Sequence, residues 1–172
     1  MNIETEIDTV NSIRPGPAAM YYDDFKVGDS WISPGRTITE ADVVAFAGLT
    51  GDYNPIHTDE EFARTTQFGG RILHGPAGFA IATGLESRLG IKDGTALAFL
   101  GMTWDLRLPI RIGDTIRVHE RVAAMRKSRK PTQGLVTFDV AVVNQRGEVT
   151  QEGQWKILMS RRPCTAAAPD GS

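Results

Sequence analysis

Residues 72–90 read ILHGPAGFAIATGLESRLG, and the fold turns on how this stretch is read. Pro76 suits the first helical position, where its missing N–H is no loss and its fixed φ is already helical. Gly75 then falls at the cap. The body that follows, AGFAIATGL, is small and apolar almost all round. A helix with no polar face is expected to be buried on every side, so the rest of the chain must wrap it. In DTIRVHERV (114–122), Ile116, Val118 and Val122 alternate with polar neighbours. Val136, Phe138, Val140 and Val142 keep the same period of two, as do Trp155, Ile157 and Met159, and this is the periodicity of strands. NQRG at 144–147 and Gly113-Asp114 mark turns between the runs. An earlier strand lies in TALAFLGMTWDLRLPI, closed by Pro109, and a short extended piece lies near 29–38. Three helices thus precede about four long antiparallel strands. The fold class is α+β, a curved antiparallel sheet around one buried helix.

The other two helices carry capping signals. In TITEADVVAFAGLTG, Thr39 is the expected N-cap with Asp42 three residues on, a weaker capping box. Val43, Val44, Phe46 and Ala47 supply the apolar face, and Gly48 is the expected end. In HTDEEFAR, Thr58 is the expected cap with Glu61 reaching back. Residues 1–20 and 161–172 are Pro/Ala/polar segments without periodicity and are expected to be tails around a single domain at 21–160. Cys164, the only cysteine, falls in the second tail as an exposed thiol, and no internal disulfide can form.

Composition narrows the function classes. Hydrophobic residues at 41% and charged residues at 23% are enough for one soluble domain with a sizeable core. A net charge of −2 gives no basic footprint for nucleic acid. The start, MNIETEIDTVNS, is acidic and lacks the apolar run of a secretory signal. No apolar run approaches the ~20 residues of a membrane span. The expectation is a cytoplasmic protein with neither a nucleic-acid nor a membrane partner.

The chemistry gathers at 51–57, GDYNPIH. Asp52 and His57 both move protons, and Asn54-Pro55 between them disfavours a continuous helix, because the residue before proline avoids the α region. Such a loop can turn both side chains to one side, where a carboxylate and an imidazole sharing a water make a general acid–base pair. Asn54 would hold the loop. The constellation also has a structural reading, with Asp52 capping a turn and His57 packing ahead of the next helix. Gly75-Pro76 adds a second signal: free N–H groups at a helix start, with no side chain on Gly75 to block approach. Donors of that kind stabilise negative charge that develops on a substrate oxygen during reaction.

The run GDYNPIHTDEEFARTTQFGGRILHGPAGFAIATGL, with LGMTWDLRLPIRIGDTIRVHERV and VVNQRGEV, resembles the MaoC-like dehydratases and R-specific enoyl-CoA hydratases. The likeness covers roughly 25–160, and the G-D-x-N-P-x-H motif is specific to the group. It implies the hot-dog fold, a sheet wrapped round a long central helix, and a homodimer or higher oligomer with the acyl pocket at the subunit contact. It implies that Asp52 and His57 activate the water that adds to a 2-enoyl-CoA, that the Gly75 N–H holds the thioester carbonyl, and that Asn54 supports the loop. The implied product is an (R)-3-hydroxyacyl-CoA. Coenzyme A belongs to the substrate, and no other cofactor is expected.

Other residues have plainer readings. His74 reads as a hydrogen-bonded structural histidine and His119 as a solvated strand residue. Three scattered histidines with one tail cysteine make no metal set, so no metal is expected. Arg126, Lys127, Arg129 and Lys130 form a basic run that reads as a solvated hairpin end, or as a contact for the phosphates of coenzyme A. Thr83 reads as bonding its own backbone, with a supporting role near the thioester as the alternative. Trp104, Phe79 and Phe99 read as core, or as acyl-pocket wall. Two rival functions share this fold: an acyl-CoA thioesterase, which has no evident need of His57, and a non-catalytic acyl-CoA binding module, which needs neither Asp52 nor His57.

Overall fold

The computed structural model describes residues 19–163; Cys164 and most of both expected tails lie outside them. A short 3₁₀ turn at Tyr22–Asp24 leads into β1 (Ser30–Ile32) and β2 (Arg36–Thr37). Helices α1 (Glu40–Thr50), α2 (Pro55–Thr58), α3 (Glu60–Arg64) and α4 (Gly75–Ser87) follow. The chain ends in four long strands, β3 (Ala96–Leu106), β4 (Thr115–Lys127), β5 (Gln133–Val143) and β6 (Val149–Ser160). The sheet order is β1-β4-β5-β6-β3, with β2 also on β4, and every pairing is antiparallel.

The period of two places one row of each strand against α4. Val122 pairs with Phe138 and Phe138 with Trp155, and all three side chains are buried. Burying such side chains stabilises the fold by about 1.5–3 kcal/mol each. Glu120 breaks the row. It faces inward and is buried, as are Lys92 and Glu86. Lys92 Nζ ion-pairs with both Glu120 and Glu86, the latter at 2.9 Å, and lies 3.8 Å from the centroid of the Phe138 ring. Burial, with the Glu86 charge adding to it, pushes the Glu120 carboxyl up to about 7 against the pull of Lys92.

Several boundaries differ from the sequence expectations. Helix α1 runs past Gly48 and stops at Gly51, whose φ of 76° and N–H to the Ala47 carbonyl make the left-handed cap. Val44 is exposed, so the buried face of α1 is Val43 and Ala47. Thr58 is not an N-cap; its hydroxyl donates to the Tyr53 and Asn54 carbonyls. Asp59 caps α3 instead, its carboxylate accepting the Phe62 N–H at 3.0 Å. His74 is the N-cap of α4, so Gly75 is its first residue and Pro76 its second. Helix α4 is not buried all round: Pro76, Ala80, Gly84 and Ser87 form an exposed strip on the side away from the sheet. Arg161 and Arg162 are tied down by ion pairs to Asp23 and Asp24, so the ordered chain runs past residue 160. Among the described residues no helix is long and apolar enough to cross a membrane.

Candidate active site

The site is assembled where the loop after α1 meets the start of α4. Gly51 turns the chain out of α1, and Asp52 then closes a local turn by accepting the Asn54 N–H on Oδ1 at 3.2 Å. Asn54 repeats the device: its Oδ1 accepts the Ile56 N–H at 3.2 Å and caps α2, with Pro55 in the first turn. Two side-chain turns in succession, each of a type that Asp and Asn favour, present Asp52 and His57 from one short loop. Asp52 is exposed and His57 is buried.

His57 is held from behind. Its Nδ1 lies 2.8 Å from the Ile72 carbonyl. A carbonyl only accepts, so Nδ1 carries the proton and Nε2 keeps the basic lone pair. Ile72 is itself stitched in place: its N–H donates to the Ile56 carbonyl, the next N–H donates to the Ile110 carbonyl, and Ile72 bridges to Arg111. Beside it, Arg71 clasps Glu40 of α1 in a fork at 2.6 and 2.7 Å and Glu60 of α3 at 3.1 Å. These bonds hold both carboxyls below their usual range.

His74 joins the two proton-moving residues. Its ring stacks on that of His57, with centroids 3.7 Å apart and planes 25° apart, and its Nε2–H donates to the Asp52 carbonyl at 3.0 Å. It is 1% exposed, and its Nδ1 has no hydrogen-bond partner among the described residues. His74 is thus the hydrogen-bonded histidine that the sequence suggests; its partners, Asp52 and His57, lie 22 and 17 positions away in the chain, which no local pattern signals. Asp52, His57 and His74 each bring a possible ligand atom within 4.8 Å of the others. Imidazole lone pairs lie in the ring plane, however, and two rings stacked this closely do not converge on one ion.

Gly75 opens α4, so its N–H is among the first-turn donors without an intrahelical partner. A Cβ at this position would lie 2.6 Å from Leu106 Cδ1. His57 and Gly75 line one cavity of about 320 Å³, together with Ile72, Leu106, Pro109 and Gln151. A larger hollow of about 550 Å³ lies on the outer face of the sheet. Its charged groups are spent on one another, as in Arg121–Asp139 and Arg107–Glu152, so it offers no free acid–base pair.

The remaining candidates fall elsewhere. The Thr83 hydroxyl donates to the Ala80 carbonyl at 2.7 Å and does not line the cavity. Arg126, Lys127, Arg129 and Lys130 lie at the far end of the β4–β5 hairpin, about 36 Å along β4 from Ile116 at ~3.3 Å per residue. Within one chain they do not reach this site. His119 is exposed on the outer face.

A central helix in a curved antiparallel sheet, with an imidazole and a helix start lining one cavity and an exposed carboxylate within 4.8 Å of the imidazole, defines a class that comparison makes specific. Residues 26–144 match the MaoC-like domain family, and the chain belongs to it. It is 40% identical over 150 residues to a 3-hydroxybutyryl-CoA dehydratase of Methylorubrum extorquens, covering 86% of this chain and 89% of that protein. It is 35% identical over 144 residues to an (R)-specific enoyl-CoA hydratase of Rhodospirillum rubrum, covering 83% and 93%. The fold is the hot-dog. A Mycobacterium tuberculosis protein described as a double hot-dog superposes with a TM-score of 0.76 at 18% identity, covering 88% of this chain and 47% of that one.

Proposed function

We propose that this protein is a hydro-lyase that adds water reversibly to a trans-2-enoyl-CoA to give an (R)-3-hydroxyacyl-CoA. The observation that carries the reading is the tautomer of His57: with Nδ1–H spent on the Ile72 carbonyl, Nε2 is free to act as a base, and an Asp52 carboxylate oxygen lies within 4.8 Å of a His57 ring nitrogen. The relatives named for hydratase and dehydratase activity support it. Water held between Asp52 and His57 gives up a proton to one of them as its oxygen bonds the β-carbon. The π electrons of the enoyl bond move onto the thioester oxygen, which the Gly75 N–H holds. The α-carbon then takes a proton from the pair and the carbonyl re-forms. Proton relay of this kind contributes typically 10²–10⁴ in rate. Asn54 holds the loop and His74 the spacing of the pair. The chemistry calls for no metal and no redox cofactor, and coenzyme A enters as part of the substrate.

The working unit proposed is a homodimer. Strand β3 is a sheet edge that exposes Phe99, Leu100, Met102 and Leu106, and natural proteins do not leave a long apolar edge uncovered. Sedimentation tests this, with a monomer at working concentration as the contrary result.

The activity is tested by following enoyl-thioester ultraviolet absorbance with crotonyl-CoA, alongside thiol release. Loss of absorbance without free thiol supports the hydratase. Thiol release from a saturated acyl-CoA favours the thioesterase reading, and binding without turnover favours the binding module.

A further inference from the structure

The cavity beside His57 has an open rim and a closed floor. At the rim, Leu108 is 45% exposed, whereas at the floor Gln151 is 3% exposed. Gln151 faces α4 from β6, opposite Leu106 of β3. Its amide is fixed at both ends: Nε2–H donates to the Gly75 carbonyl at 3.0 Å, and Oε1 accepts from Trp104 Nε1–H at 3.1 Å. A glycine makes room for this arrangement: a Cβ at Gly78 would sit 2.4 Å from Gln151 Nε2. Behind Gln151 the space between α4 and the sheet is filled by aromatic rings. Phe79 meets Trp104 and Trp155 edge-on at 5.3 and 5.8 Å, and Trp104 lies 5.7 Å from Trp155. A second hollow of about 310 Å³, bordered by Phe99, Ile157 and Glu86, lies on the far side of Trp155, whose ring meets Phe99 at 5.8 Å.

Resting on the hydratase reading, we infer that Gln151 and the rings of Phe79, Trp104 and Trp155 form the end wall of the acyl site, and that the substrates are short-chain enoyl-CoAs. The wall begins one hydrogen bond from the residue whose N–H holds the thioester oxygen, so an acyl chain entering from the rim meets it after a few carbons. A longer chain would have to separate an amide with both ends bonded and part the half-buried Phe79 and Trp104 rings from the buried Trp155. Gln151 and the rings are one unit, because the Trp104 indole both satisfies the amide and packs on Phe79. The hollow beyond the wall is space that a longer chain gains once the wall is thinned.

The test compares kcat/KM for crotonyl-CoA, hexenoyl-CoA, octenoyl-CoA and dodecenoyl-CoA in the wild type, Trp104→Leu and Phe79→Leu; the two variants thin the wall independently, so one that folds suffices. The wild type is expected to favour crotonyl-CoA over octenoyl-CoA by at least about tenfold, since single methylenes at a close-fitting wall are worth about that much. The octenoyl-to-crotonyl ratio is expected to rise at least about tenfold in a folded variant. A wild type that handles octenoyl-CoA or dodecenoyl-CoA as well as crotonyl-CoA overturns the wall, as does a ratio unmoved in both variants. Absence of hydration on every substrate overturns the hydratase reading and the inference together.

Discussion

The two ends of α4 are built to opposite specifications. At the N-terminal end the helix opens on Gly75 beside a cavity, with the Asp52 carboxylate exposed and the His57 base held by its back. At the C-terminal end, about 16 Å away at 1.5 Å per residue, Glu86, Lys92 and Glu120 are buried and closed on one another. The first end keeps its charged and basic groups available to a ligand by bonding their scaffold to backbone. The second spends its charges internally, and a buried ion cluster of that kind is weak grounds for stability. Charge in a hot-dog core therefore does not mark a catalytic site by itself; what marks it is whether the group's working atom is left free.

The contrast can be broken in order of effect. Asp52→Asn and His57→Ala are each expected to cost 10²–10⁴ in crotonyl-CoA hydration, read by ultraviolet absorbance, with little change in melting temperature for Asp52→Asn. Next, His74→Leu removes the stack on His57 and the donor to the Asp52 carbonyl. A loss of roughly tenfold in kcat with KM little changed is expected, as for a misplaced catalytic group, and His74→Gln should recover part of it by restoring a donor. Gly75→Ala is smaller still. Its Cβ meets only the mobile end of Leu106, and alanine favours the helix, so KM should rise a few-fold while the melting temperature holds or rises.

The smallest effect on activity, and the clearest on stability, belongs to the other end. The Glu120 carboxyl in the fold ionises about 7, above its ordinary 4.5. The folded state keeps a proton that the unfolded state releases between those values, so the group favours the fold most below its ordinary value and loses that contribution as pH rises through 7. Glu120→Gln cannot ionise. Its melting temperature relative to wild type should climb by several degrees between about pH 5 and pH 8, at ~2–4 °C per kcal/mol for a chain of this size, with hydration rates unchanged within about twofold. A difference that is flat in pH would put the proton elsewhere.

The sheet and the central helix were legible because strand parity and an apolar helix are written in local period: Phe138, Trp155 and Ile157 needed no partner to be read. Helix ends were less so, because a cap is decided by geometry that sequence only biases. Asp59 took the role expected of Thr58, and Gly51, with its positive φ, took that expected of Gly48. Asp52, Asn54, His57 and Gly75 stood out through their motif, and two side-chain turns place Asp52, Asn54 and His57 on one loop; their roles are the ones proposed above. His74 was legible as a hydrogen-bonded histidine but its partners were not, and Gln151 was not legible at all, because each works through residues far away in the chain, the Asp52 carbonyl and the first turn of α4. Glu120 looked like a gap in an apolar row, since its partner Lys92 lies 28 residues earlier. The basic run at 126–130 could not be placed from sequence, because the length of β4 sets its distance from the site.

The most direct measurement is the double variant Asp52→Asn/His57→Ala beside the two single ones, each assayed with crotonyl-CoA. If both groups act on one water, they form a unit, and removing the second should cost little more than removing the first, as strongly non-additive catalytic sets behave. Losses that multiply across the two positions would contradict a shared water and separate the roles of Asp52 and His57.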